Sequence, residues 1–153
     1  MSASRPLRFA ATLLASGALL GAAALPATAA DVPHPPRSGV MIGQVQYDSP
    51  GWDTRSNRSL NAEWVEVRNT GRKPVQLNGW TLTDRDGNRY RFHHVWLRGH
   101  DSVRVHTGIG RDNRHHVYQD RRSYVWDNRD AATLRDHRGR WIDTKSWGHH
   151  HRR

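Results

Sequence analysis

From Val40 onward the chain is built of short apolar–polar alternations, each closed by Gly, Pro, Asn or Asp. No window sustains an apolar period of 3.6 residues, so a helical core has nothing to form from. Alternation with period 2 instead describes strands with one buried and one wet face. Strands are expected over 41–47, 63–68, 75–77, 80–84, 89–92, 102–106, 124–126, 132–136 and 140–144. Many short strands with turn signals between them argue for an all-β sandwich.

Parity assigns the faces. Val65 with Val67, Trp80 with Leu82, Tyr90 with Phe92, Val103 with Val105, and Ala132 with Leu134 fall on core sides. The opposite faces carry Arg68, Arg89, Arg91, Arg104 and Arg135. "TDRDGNRY" and "LRDHRGRW" each place Asp before a Gly-containing turn between two strands, which predicts two hairpins. "DRDGN" also resembles the start of a calcium loop, with Asp84, Asp86 and Asn88 at alternate positions. A full loop of that kind needs Gly at its sixth place and Glu at its twelfth. Those places hold Arg89 and Val95, so the hairpin turn is the expectation.

"NAEWVEVRNTG" poses the question of chemistry. Glu63 and Glu66 are an odd number of residues apart, so on one strand they project to opposite faces and cannot form a carboxylate dyad. Glu66 shares its face with Arg68 and is expected as a charge pair there. Glu63 shares the side of Val65 and Val67, and at the strand's start it is expected to reach water. No catalytic residue is assigned.

Other constellations are equally sparse. The eleven histidines include no His-Glu-x-x-His and no alternate-position His-x-His on a strand. His93-His94 and His115-His116 are adjacent pairs that split across two faces, leaving His149 to His151 as a loose transition-metal chelator at most. No Gly-x-Ser-x-Gly is present, and no helix is visible around "DNRHH" to complete a metal-dependent nuclease. No metal site and no cofactor is expected.

Length and charge set the remaining bounds. The chain has 153 residues, enough for one domain. Arg5 and Arg8, the uncharged run "FAATLLASGALLGAAAL" and then "PATAA" read as a secretory signal peptide over 1–30, with cleavage after Ala30. Residues 31–39 are a proline-rich linker, 40–147 the β domain, and 148–153 a His/Arg-rich tail. Export exposes the protein to oxidising surroundings, yet there is no cysteine, so the fold must rest on its core alone. Without Arg5 and Arg8, 22 Lys and Arg stand against 14 Asp and Glu, a net charge of +8. Lys73 and Lys145 are the only lysines; arginine, always charged and forked, supplies the rest.

The segment "EWVEVRNTGRKPVQLNGWTLTDRDGNRYRF" resembles the lamin tail domain family in its secreted bacterial form. The pattern is a strand ending in Asn69-Thr70-Gly71, then Pro74-Val75-x-Leu77, Gly79-Trp80-x-Leu82 and the hairpin from Asp84 through Gly87 to Tyr90 and Phe92. The likeness continues through "IGQVQYDSPG", "VRVHTGIG" and "YVWDNRDAATLRDHRGRWID", covering nearly all of 40–147. "HHVWLRGHDS" departs from it where the family tends to carry a proline-containing bend, as does the load of Arg and His. The resemblance implies an immunoglobulin-like β-sandwich acting as a non-catalytic interaction module, of a kind that in lamins contacts proteins and DNA.

A basic surface attracts polyanions, such as nucleic acid or anionic wall polymers. The candidate residues are Arg68, Arg89, Arg91, Arg104 and Arg135 on strands, with Arg121 and Arg122 in a loop and Arg152 and Arg153 in the tail. Alternatives are an extracellular protein partner or, less favoured, a secreted metal-dependent nuclease or hydrolase.

Overall fold

The computed structural model describes residues 39–148. The segment expected as a signal peptide, nearly all of the expected linker and the expected tail beyond Gly148 lie outside the described residues. Ten strands and one short helix follow in order: β1 Val40–Gln46, α1 Asn57–Ala62, β2 Trp64–Asn69, β3 Val75–Gln76, β4 Thr81–Thr83, β5 Arg89–Arg91, β6 Trp96–Leu97, β7 Ser102–His106, β8 His116–Tyr118, β9 Ala131–Arg135 and β10 Trp141–Ser146. The first sheet has the order β1-β2-β7-β8, the second β10-β9-β4-β5, and β3 pairs with β6 in a small third. All pairings are antiparallel except β7 with β8. This is the all-β, immunoglobulin-like sandwich.

The core follows the parity of the strands. Val65, Val67, Trp80, Leu82, Phe92, Val103, Val105 and Leu134 are all buried, and Tyr90 packs half-buried against them. Facing pairs come from register: Val65 opposes Val105, Val67 opposes Val103, and Leu82 lies between Tyr90 and Leu134. Trp80 enters the core because Gly79, at φ +78°, turns the chain in a conformation that side chains resist.

The Asn-Thr-Gly end of β2 is a clamp. Asn69 Nδ2 donates to the carbonyls of Lys73 and Arg98, while its Oδ1 accepts from Gly71 N–H. The first sheet is thereby tied to the segments bearing β3 and β6. The two Asp-led hairpins share one construction. Asp84 N–H donates to Asn88 O, and Asp136 N–H to Arg140 O. The Asp84 carboxylate accepts from Asn88 N–H at 2.7 Å and from the Asn88 amide; the Asp136 carboxylate accepts from Arg138 N–H, Arg140 N–H and Arg140 Nε. Burial pushes the Asp136 pKa up, but the Arg140 side chain and these N–H groups outweigh it and hold the carboxyl below its ordinary 3.8. "DRDGN" is thus a turn whose first carboxylate is already engaged.

Two expectations need correcting. Residues 124–126 form no strand, because the N–H groups of Val125 and Trp126 turn inward to a carboxylate. The alternation pattern missed β6, β8 and α1, each too short to show a period. α1 starts at an N-cap, with Ser56 Oγ accepting from Ser59 N–H at 3.2 Å.

Candidate functional site

β4 lies between β5 and β9, so its outward threonines set two rows across the second sheet. Thr81 has Arg91 on one side and Arg135 on the other, and Arg135 is followed by Trp141 on β10. Thr83 has Arg89 and Thr133 as neighbours, and Thr133 is followed by Thr144. Strand spacing puts Arg91 and Arg135 about 10 Å apart, and strand rise puts Arg89 and Arg91 about 7 Å apart. Trp141, half-exposed, donates its indole N–H to Thr144 Oγ1 at 2.9 Å, and Thr144 meets Thr133 at 3.1 Å. Arg121 joins from its loop by donating to the Arg89 carbonyl at 3.4 Å.

Among the described residues, none of Arg89, Arg91, Arg121 and Arg135 makes an ion pair. A shallow groove of about 220 Å³ runs between Arg89, Arg91, Arg135 and His137, with Thr81 at its floor. Asp136 also lines it, but that carboxylate is taken by the Arg138–Arg140 turn. Burial, and then Asp112 and Asp120, push the Tyr90 phenol up, so it stays neutral under the charged face.

Arg68 and Arg104 sit elsewhere, on the outward face of the first sheet. Arg68 Nε lies 3.7 Å from Glu66 Oε1, the charge pair expected from their shared parity. Gly43 makes room for it, since a Cβ there would come within 2.2 Å of that Glu66 oxygen. Arg104 is only partly exposed; its guanidinium caps the Trp64 ring at 4.1 Å. Arg122 is exposed in its loop, and Arg152 and Arg153 are outside the described residues. The sandwich therefore divides the arginines: Arg89, Arg91 and Arg135 line one groove with Arg121 bonded to the Arg89 backbone, while Arg68 and Arg104 are occupied on the other sheet.

Two further arrangements escaped the sequence reading. Glu63 does not reach water; it is buried, and its Oε1 accepts from Thr107 Oγ1 at 2.6 Å, Val125 N–H at 2.9 Å and Trp126 N–H at 3.2 Å. Its parity with Val65 and Val67 was the signal for this. Burial is the largest influence on it and raises its pKa above the ordinary 4.5. On the first sheet, His106 Nε2 meets His116 Nδ1 at 2.8 Å, and His106 Nδ1 lies 2.7 Å from Asn61 O. A carbonyl only accepts, so His106 carries its proton on Nδ1 and its Nε2 receives the His116 Nδ1–H. Burial lowers both pKa values, with positive charge from Arg104 adding to the effect.

Catalytic chemistry has little to stand on here. The two glutamates lie on opposite faces and are committed to structural partners. Among the described residues no three His, Cys, Asp or Glu side chains gather in a way that could hold a metal ion.

The comparisons agree with the all-β, immunoglobulin-like fold. The family model of the Lamin Tail Domain matches residues 33–149. No curated protein matches the chain. The family is one of non-enzymatic, immunoglobulin-like domains that serve as binding or structural modules. With that match spanning more than half of the chain, one conclusion follows: this protein belongs to the lamin tail domain family.

Proposed function

We propose that this lamin tail domain binds polyanions, nucleic acid or anionic envelope polymers, through the outward face of its second sheet. The observation that carries the reading is the convergence of Arg89, Arg91 and Arg135, none ion-paired among the described residues, around one shallow groove, with Arg121 held beside Arg89 through its carbonyl. Guanidinium groups left without a protein carboxylate are ready to fork onto phosphate or carboxylate oxygens of a ligand. Arg68 and Arg104 contribute less, because Glu66 and Trp64 already hold them. The leader-like 1–30 segment supports a role outside the cytoplasm, where such polymers are met.

Incubation with plasmid DNA and with heparin tests this. Retarded, intact DNA supports the module, and its loss on replacing Arg89, Arg91 and Arg135 with Ser assigns the face. DNA cut in the presence of a divalent metal and spared by EDTA would instead establish a nuclease. Failure to retain any polyanion at low salt would leave an extracellular protein as the partner.

A further inference from the structure

A second concave site lies at the seam where β1 faces β10. Ile42 N–H donates to Asp143 Oδ2 at 2.8 Å, and Lys145 Nζ donates to the Gly43 carbonyl, so the two sheets are joined there. The register of β1 on β2 shifts between Ile42 and Val45. Before the shift, Val40 and Ile42 point into the core; after it, Val45 and Tyr47 pack against the core and Gln46 stands opposite Trp64. A bulge of this kind re-aims side chains. Here it opens a cleft of about 370 Å³ lined by Gln44, Gln46, Tyr47, Trp64, Lys145 and Trp147. That volume lies within the range of small-ligand sites, about 300–1,000 Å³.

The three aromatic rings are held before any ligand arrives. Tyr47 and Trp147 stack within 9° of parallel at 5.5 Å. Trp147 donates its indole N–H to Asp127 O at 2.7 Å and packs edge-on to Trp126 at 5.8 Å. Trp64 is backed by the Arg104 guanidinium. Fixed rings lose little freedom on binding, which favours recognition.

The polar lining selects among ligands. No carboxylate lines the cleft and an ammonium does, so a cationic guest is repelled despite the aromatic rings. A wholly apolar guest would strip water from Gln44, Gln46 and Lys145 without replacing its hydrogen bonds. A flat ring with C–H faces and a rim of hydroxyls meets both demands, the faces against the aromatics and the hydroxyls toward amide and ammonium. Lys145 spends one of its three N–H groups on Gly43 O and Gln46 spends one on Asp48 O, so donors and acceptors remain. We infer that the cleft between Trp64, Trp147, Gln44 and Lys145 is a binding site for a pyranose residue of a neutral glycan. None of Arg89, Arg91, Arg121 and Arg135 lines it, so it stands apart from the polyanion reading.

Tryptophan emission of the whole protein, titrated with cellotetraose and with tetra-N-acetylchitotetraose, reads out the site. A saturable change with either sugar is expected, weakened about tenfold or more by Gln44→Ala and by Lys145→Met. Unchanged thermal melts show that those variants remain folded. The Arg89, Arg91 and Arg135 to Ser variant should bind the sugar as the parent does, which separates this site from the arginine face. The inference is overturned by no saturable change with either sugar at about 10 mM, the scale of very weak recognition. Equal affinity of parent and both variants, or binding of choline in place of sugar, also overturns it.

Discussion

The Thr107 hydroxyl reaches the Glu63 carboxylate at 2.6 Å across 44 residues of chain, inside the domain. The same oxygen takes the N–H groups of Val125 and Trp126, so one atom gathers the end of β7, the start of β2 and a segment without strand structure.

Glu63→Ala leaves three donors without their acceptor in a buried place, and should destabilise the domain by about 2–4 kcal/mol. Glu63→Gln keeps an acceptor oxygen and should cost less than about 1 kcal/mol near neutral pH. Because burial raises the carboxyl pKa, the folded state holds its proton more tightly than the unfolded one. This group's contribution is therefore greatest below pH 4.5 and declines as pH rises through the folded value. Across that window the parent's urea midpoint should fall relative to that of the Gln variant as pH rises. An Ala variant with the parent's midpoint would contradict the arrangement.

The His106–His116 pair titrates in the opposite sense. Both pKa values lie below the ordinary 6.5, so between 6.5 and the folded values the unfolded chain binds more protons. Stability from the pair is complete above pH 6.5 and is lost as pH falls through the folded values. Full protonation also puts two N–H groups face to face at the 2.8 Å contact. His106→Gln should flatten the stability profile below pH 6.5, read by chemical denaturation in steps of pH. A His106→Gln profile parallel to the parent's from pH 7 to about pH 5 would remove the effect.

Trp80 is buried beside Leu82 and Phe92. Trp80→Ala should cost about 3–5 kcal/mol, as truncation of large core aromatics does. The urea midpoint should drop accordingly, and a midpoint equal to the parent's would place Trp80 outside the core.

Salt should weaken polyanion binding by an amount set by four arginines. With about four phosphate contacts to duplex DNA, affinity should fall about 100-fold between 50 and 200 mM salt. Each Arg→Ser replacement among Arg89, Arg91 and Arg135 should lower the logarithmic slope by about 0.9. Sequence preference is not expected, since the face is a flat sheet without an element shaped for base edges. A slope independent of these substitutions would move the contact elsewhere.

Parity made most of the core legible, from Val65 and Val67 through Trp80 and Leu82 to Leu134, because alternation registers burial directly. It did not say which sheet a strand joins. Arg68 and Arg89 both read as outward, yet they emerge on different sheets, one beside Glu66 and one in the groove. Glu63 shows a different gap. Its parity pointed inward, but the donors that receive it, Thr107 and the 125–126 backbone, are distant in sequence and unmarked by any pattern. His106 and His116 meet only because β7 and β8 run parallel, a pairing that local spacing does not encode.

The twin aspartate turns carry a consequence for the order of events in folding. Each closes its hairpin with contacts only four residues apart, β4 onto β5 and β9 onto β10. The second sheet is completed when β9 reaches β4, and Thr83 and Thr133 there are 50 residues apart. Local loops close quickly and distant ones slowly. The two hairpins are thus the early-forming pieces, and their docking is the slow step. Substitutions at Asp84 and Asp136 should then change the refolding rate more than the unfolding rate, whereas those at the β4–β9 seam should chiefly speed unfolding.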